Sequence, residues 1–419
     1  MQSLDFTGFG LNGPLLRALK TLNFNTPTPI QAASIPGILE GRDLLGLAQT
    51  GTGKTAAFAL PILQSLSLAE KQKRPAVRAL IVAPTRELAL QIDENIRLLS
   101  RHLGLRSATI YGGVGRKPQI DKLAGGVDIV TGTPGRIVDL MTCGHLKLHT
   151  VEHFVLDEAD HMFDLGFVRD IRKIIAQLPK KRQSLMFSAT MPAEVASLAS
   201  AVLVNPLRVE MPRTEADNPQ IEQKVFFVNT GDKRSLLKTL LDDPALERAI
   251  VFTRTKHSAS RIAESLCKDG TEAEALHGNK SQSARQLSLA RFRSGKSRVL
   301  VATDVAARGI DVTGVTHVIN FDLPNVPECY VHRIGRTARA GASGIAVSFC
   351  DDTEMGHLRS IEKLTGTRLA VAGGKPRENA PPAARKPSNR PPFAKAAQGK
   401  PNAKSRFKPR YTERARPAA

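Results

Sequence analysis

Apolar positions along this chain come in two rhythms. Short unbroken runs, RDLLGLA, RALIVAPT, VDIVTGT, EHFVLDEAD and SLMFSAT, each close on small or polar residues. Runs of that length with no polar face read as strands buried on both sides. Longer stretches between them repeat apolar residues at helical spacing, as in ELALQIDENIRLLSRHL from Glu87 to Leu103. Strands alternating with helices predict parallel βαβ units and so an α/β fold. In open sheets of this kind, ligands bind outside the carboxyl ends of the strands.

The alternation slackens at VNPLRVEMPRTEADNPQ, Val204–Gln220, where three prolines and mixed charge suggest a linker. It resumes with RAIVFTRT, SRVLVATD, VTHVINFD and GIAVSFC. The expected division is a first α/β domain over 1–208, a linker over 209–217 and a second domain over 218–368. The two domains share no obvious sequence repeat, and a shared fold stays open. A tail over 369–419 has a different character: from Val371 to Ala419 there are 13 Lys and Arg, 2 Asp and Glu, and 9 Pro. Such a segment cannot bury enough apolar surface to fold and is expected to be disordered.

Length and charge sharpen this picture. A chain of 419 residues is too long for one ordinary core. Its net charge of +21 and pI near 10.1 point to a polyanion: nucleic acid, or less often an acidic membrane surface. Mere solubility is the plainer alternative. In the tail, Phe393, Phe407 and Tyr411 sit among cations, a mixture able to stack on bases and neutralise phosphates. Cys143, Cys267, Cys329 and Cys350 form no CxxC pair and are expected to be reduced packing residues. The start MQSLDFTGFG lacks a basic and apolar leader, and no apolar run approaches the ~20 residues needed to span a bilayer. A soluble cytoplasmic protein is the expectation, with no membrane partner.

Two segments carry chemistry. AQTGTGKT covers Ala48, Gln49, Thr50, Gly51, Thr52, Gly53, Lys54 and Thr55, between a strand and a helical run. Its glycines let backbone N–H groups face a phosphate, the helix N-terminus adds positive charge, Lys54 would hold the β- and γ-phosphates, and the Thr55 hydroxyl would hold Mg²⁺. Ala48 stands where the full pattern has glycine, so the match is imperfect. The tetrapeptide Asp157-Glu158-Ala159-Asp160 follows an apolar strand about 100 residues later. Carboxylates gathered there suit a metal, a proton to be taken, or a plain solvated turn. Beside a nucleotide, Asp157 fits the Mg²⁺, through water, and Glu158 fits the attacking water.

With these motifs in this order, roughly residues 3–368 resemble the DEAD-box family of ATP-dependent RNA helicases, in superfamily 2. VFTRTKHSA and LHGNKSQSAR look closest to its bacterial RhlE-type branch. The resemblance implies two RecA-like parallel-sheet domains in tandem. FNTPTPIQ ends in Gln31, similar to the Q motif, where the amide reads adenine. Phe6 matches an upstream aromatic that stacks on the base, although its residue type alone suggests a core position. Pro84, Thr85 and Arg86 of PTRELA, Gly112-Gly113, and Thr133, Pro134, Gly135 and Arg136 of TPGR look like RNA-backbone motifs. Ser188 and Thr190 of SAT resemble the element coupling hydrolysis to strand separation, with hydroxyls able to bond Asp160.

In the second domain Arg254, Gly278, Gln282 and Arg285 are similar to RNA-binding positions, as are Thr303 and Asp304. Gly309 and Asp311 fall nearer the nucleotide. In YVHRIGRTARAG, Arg336 and Arg339 match arginine fingers, and His332 and Arg333 are expected to couple to the acidic tetrapeptide. Ala338 replaces a common glycine and His161 a common arginine, and neither position is expected to carry chemistry.

The implied activity is RNA-stimulated ATP hydrolysis driving local unwinding of duplexes, with ATP and Mg²⁺ as cofactors. RNA would be gripped through phosphates and sugars with little sequence preference. Ribosomal precursors and RNA-decay complexes are the implied settings. An ATP-locked RNA clamp, a superfamily 2 DNA helicase and an RNA chaperone acting through the tail are the alternatives. Oligomeric state is not legible.

Overall fold

The computed structural model describes residues 5–48, 51–69, 76–211, 221–307, 312, 314–338 and 343–375. The expected sites Gln49, Thr50, Gly309, Asp311 and Arg339, and the tail aromatics, lie outside those residues.

Seven strands among the described residues form a first sheet: β1 (Leu44–Leu47), β2 (Ala79–Val82), β3 (Ser107–Ile110), β4 (Ile129–Gly132), β5 (His153–Leu156), β6 (Gln183–Ser188) and β7 (Leu207–Glu210). Seven more form a second: β8 (Ile221–Phe227), β9 (Ala249–Phe252), β10 (Ala273–Leu276), β11 (Val299–Ala302), β12 (His317–Asn320), β13 (Gly344–Cys350) and β14 (Ala370–Gly373). Every pairing is parallel. The orders are β3-β4-β2-β5-β6-β1-β7 and β10-β11-β9-β12-β13-β8-β14. Position by position the second sheet repeats the first, so the fold is duplicated where the sequence shows no repeat.

The continuous apolar strands are explained by helices on both faces. Along β2, Ala79 and Ile81 join one core while Leu80 and Val82 join the other. The same period of two divides Val155 from Phe154 and Leu156 on β5. Second-domain cores divide likewise, with Val251 on one side of β9 and Ile250 and Phe252 on the other.

Three boundaries differ from expectation. β7 occupies part of the stretch read as linker, including residues 209 and 210. β14 lies beyond residue 368, in the stretch read as tail, and pairs with β8 through Ala370↔Lys224 and Val371↔Val225. The helix expected over Glu87–Leu103 runs from Arg86 to Leu99. Both strands lie at sheet edges and carry little apolar signal: Leu207–Glu210 is mostly exposed or half-buried, and Ala370–Gly373 is small and largely exposed. No helix among the described residues is long and apolar enough to cross a membrane.

Candidate active site

The phosphate loop joins β1 to the helix Lys54–Leu68. Gly51 and Gly53 hold φ of 86° and 92°, which side chains avoid. At Gly53 a Cβ would also strike the Gln31 amide. Gln31 is buried; its Oε1 accepts from Thr28 N at 2.9 Å, closing the cap of the helix Pro29–Leu39, and its Nε2 donates to Gly53 O at 3.1 Å. An amide has two lone pairs and two protons, so each end retains one place for a base. Gln31 thus ties the loop to a fixed helix end. Lys54 Nζ donates to Ala48 O at 3.1 Å and lies 3.9 Å from Asp157 Oδ1.

Asp157 directly follows β5, and its Oδ1 accepts from Glu158 N at 3.0 Å. Burial pushes Asp157 up to about 6, against the pull of Lys54. Glu158 has φ 55° and ψ 53°, a left-handed conformation uncommon for a side chain and of the kind found at functional sites. Burial raises its pKa too, but the His161 hydrogen bond and charge, with Lys54 and Arg336, outweigh it and hold Glu158 at about 2. His161 Nδ1 lies 3.0 Å from Glu158 Oε2. Two neighbouring carboxylates are therefore pushed in opposite directions by their surroundings.

The third carboxylate points elsewhere. Asp160 Oδ2 accepts from Thr190 N and Thr190 Oγ1, both at 2.9 Å, and Asp160 N donates to Ser188 Oγ at 3.3 Å. The hydroxyl-to-carboxylate link expected from SAT is present.

These groups open onto a cleft of about 520 Å³. Leu22, Phe24, Gln31, Lys54, Thr55, Asp157 and Glu158 line it from the first domain, and Arg293 and Arg336 enter from the second domain. The helix Arg86–Leu99 supplies another wall.

The first-domain backbone motifs converge on helix starts. Thr85 caps the helix Arg86–Leu99, its Oγ1 accepting from Leu88 N at 3.2 Å. Thr133 precedes the helix Pro134–Thr142, which contains Gly135, and Arg136 Nη2 donates to Val114 O at 3.0 Å. The Arg86 guanidinium lies against Gly113, whose φ of 77° and lack of a Cβ both matter there. Pro84 and Thr85 follow the end of β2, so these motifs sit at strand carboxyl ends, beside two positive helix termini.

Comparison with known proteins decides the family. Residues 28–198 match the DEAD/DEAH box helicase model and residues 232–341 the helicase conserved C-terminal domain. The ATP-dependent RNA helicase CshA of Listeria monocytogenes is 46% identical over 87% of this chain and 69% of its own length. The DEAD-box ATP-dependent RNA helicase CshA of Geobacillus kaustophilus is 44% identical over 87% and 77%. The solved structure of S. cerevisiae Dbp5 bound to RNA and ADP BeF3 superimposes with a TM-score of 0.78 at 32% identity, covering 88% of this chain and 95% of that one. This chain belongs to the DEAD-box family of ATP-dependent RNA helicases. Its two duplicated sheets are that family's RecA-like domains.

Several positions in this DEAD-box chain depart from expectation. Phe6 is 2% exposed, packed edge-on to Phe9 at 6.0 Å within the first core, and does not line the cleft. Burial of a large apolar ring overrides the motif match. Phe24 lines the cleft at 40% exposure instead, inside the quoted Q segment. The available signal was a second aromatic in the same segment as Gln31. Arg333 does not couple to the DEAD carboxylates: its Nη2 and Nε hold both Asp304 oxygens, at 2.7 and 2.5 Å, and Nη1 bonds Asn320 and Asp322 O. Asp304 is thereby neutralised within the domain rather than presented by itself to RNA, beside Thr303, whose carbonyl caps the short helix Asp304–Ala307. His332 does meet the DEAD region, its ring 4.6 Å from that of His161.

His161, expected to carry no chemistry, bonds Glu158 and so belongs to the site. Ala338 holds φ 53°, which explains why glycine suits that position. Gln282 and Arg285 are buried and cross to the first domain. Arg86 Nη1 donates to Gln282 Oε1 at 3.3 Å, and Arg285 Nη2 lies 2.8 Å from Glu87 Oε1. Arg254 Nη2 binds Glu354 at 2.7 Å, while Gly278 has open space around it. Sequence reading had no signal for Glu87 or Arg293, because each gains its role only when the two domains meet.

Proposed function

We propose that this helicase is an RNA-gated ATPase in which the two domains complete one catalytic centre. The observation that carries this is the presence of Arg336, from the second domain, in the cleft lined by Lys54, Asp157 and Glu158. Adenine would stack on Phe24 and pair with Gln31, and Lys54 with the loop amides would hold the phosphates. Glu158, kept ionised and aimed by His161, would orient the attacking water. Arg336 would place positive charge beside the γ-phosphate oxygens, where negative charge develops, a contribution on the order of 10³–10⁵ in rate. Asp160, Ser188 and Thr190 would link the DEAD segment to β6.

The residues suit Mg²⁺. Thr55 and Asp157 offer oxygen donors, the set a hard cation takes, and the raised Asp157 shows a buried carboxylate that a cation would stabilise. When bound, the ion supplies neutralisation of the β- and γ-phosphate oxygens.

RNA phosphates would lie along the starts of the helices Arg86–Leu99 and Pro134–Thr142 and across Gly278, Thr303 and Arg254. Arg86, Glu87, Gln282 and Arg285 would make domain closure depend on that surface being ordered. The domain assignment follows the two sheets, with the joint between β7 and β8. The RhlE-type branch rests on VFTRTKHSA and LHGNKSQSAR alone; the relatives above carry the CshA name. A cytoplasmic setting, in ribosome assembly or RNA decay, belongs to this proposal and rests on the family resemblance alone.

Strand displacement tests this reading. A short RNA duplex should separate with ATP and remain paired with Lys54→Ala. Separation without ATP would instead assign the activity to annealing and melting by charge alone.

A further inference from the structure

The second sheet holds a cation site built on the plan of the first. β8 and β12 occupy the places of β1 and β5 in the strand order. Lys54 opens the helix after β1 and lies 3.9 Å from Asp157, just past β5. Lys233 opens the helix Lys233–Leu241 after β8 and lies 3.8 Å from Asp322, just past β12.

The two sites differ in their anion. Lys54 faces a cleft. Lys233 is 1% exposed, and carboxylates of its own chain surround it: Glu354 Oε2 at 2.6 Å and Asp351 Oδ2 at 3.2 Å. The Phe321 ring lies 5.9 Å away. A lysine this buried keeps its charge only with partners of that kind.

Glu354 has a second engagement. Its Oε1 accepts from Arg254 Nη2 at 2.7 Å and from Leu323 N at 3.1 Å. Arg254 N donates to Asp322 Oδ2 at 2.8 Å. Arg254 is thus fixed at its backbone and at one nitrogen by members of the Lys233 cluster, yet its side chain is 43% exposed. Its Nε and Nη1 meet no partner among the described residues, and a guanidinium offers five N–H donors.

We propose that Glu354, held by Lys233, stands in for the phosphate of a nucleotide in the second domain and positions Arg254 as a preorganised contact for an RNA phosphate. The proposal rests on the reading of Arg254 as an RNA contact. Anchoring one nitrogen removes rotamer freedom at folding rather than at binding. A carboxylate near the RNA would by itself repel phosphate, and Lys233 offsets that charge. Lys233 and Glu354 are positioning residues; only Arg254 would touch RNA.

RNA-dependent ATP turnover by the full chain separates the possibilities. Arg254→Ala should raise the RNA KM about tenfold, the size of one charge-assisted contact. Glu354→Gln keeps the shape, and should raise the RNA KM at least about threefold while kcat at saturating RNA stays within about twofold. The double variant should be no worse than Arg254→Ala, since the two act through one contact. An unchanged RNA KM in Arg254→Ala removes the contact itself. A raised KM in Arg254→Ala with none in Glu354→Gln, or additive effects, overturns the positioning role while leaving the contact. Should circular dichroism show Glu354→Gln unfolded, Arg254→Lys decides. Lysine lacks the fork that shares Glu354, so it should behave as alanine does; recovery of the RNA KM by lysine overturns the proposal.

Discussion

Arg285 and Glu87 meet across the cleft, with Nε at 2.9 Å and Nη2 at 2.8 Å from one carboxylate oxygen, and both side chains are buried. Breaking a buried pair by removing one partner costs about 3–5 kcal/mol because the other charge is stranded. Here that cost falls on domain closure. Arg285→Ala should therefore lower RNA-stimulated kcat by roughly 10²–10⁴-fold, with ATP binding to the first domain nearly unchanged. Turnover and fluorescent-nucleotide titration check this. Equal loss of nucleotide binding would place the pair in the ATP pocket instead.

Phe6 and Phe24 should separate stability from binding. Phe6→Ala leaves a cavity in the first core, at a cost of about 3–5 kcal/mol, and should lower the melting temperature. Phe24→Ala removes an open ring and should raise the ATP KM about tenfold with little change in melting. Paired calorimetry and kinetics on the two variants would expose a reversed assignment at once.

With saturating Mg²⁺, which would hold Asp157 ionised, His161 should set the acid limb of the pH–rate profile. Its hydrogen bond is one of the forces that hold Glu158 at about 2, below the usual 4.5. The ionised form must orient water, so activity depending on it is lost as pH falls through the folded pKa. His161→Phe removes the donor, raises that pKa and should shift the acid limb upward in pH, with lower kcat. A profile that keeps its acid limb would remove His161 from the mechanism.

The basic segment beyond residue 375 should add charge rather than chemistry. Its removal should weaken RNA affinity and flatten the dependence of log K on log salt, while turnover at saturating RNA changes little. Salt titrations of RNA binding by the full and shortened chains measure this. An unchanged slope would assign the segment to another partner.

What the sequence showed and hid has a physical pattern. The strands β2, β4, β5, β6, β9, β11, β12 and β13 are buried and mostly apolar because helices cover both faces, and all eight were legible, as was β1. Those missed, β3, β7, β8, β10 and β14, lie at or next to an edge, where polar side chains interrupt the apolar run and some, such as Arg208 and Glu222, stay exposed. Lys54, Asp157 and Glu158 were legible because one segment carries each function. Glu87, Arg293 and Phe24 were not, since their places depend on neighbours remote in sequence, and His161 was not because its bond to Glu158 needs the left-handed backbone at Glu158 and the helix that follows it. Phe6 and Arg333 went astray for a related reason: a motif match gives a residue's position, whereas burial in the first core and the Asp304 carboxylate decide where those side chains point.

The central claim is that RNA licenses hydrolysis by completing a centre shared between two domains. ATP turnover with no nucleic acid, with RNA and with matched DNA, alongside Glu158→Gln, tests it most directly. Strong stimulation by RNA alone, lost in Glu158→Gln although ATP and RNA still bind, is the predicted result. Equal stimulation by DNA, or turnover indifferent to both, would contradict it.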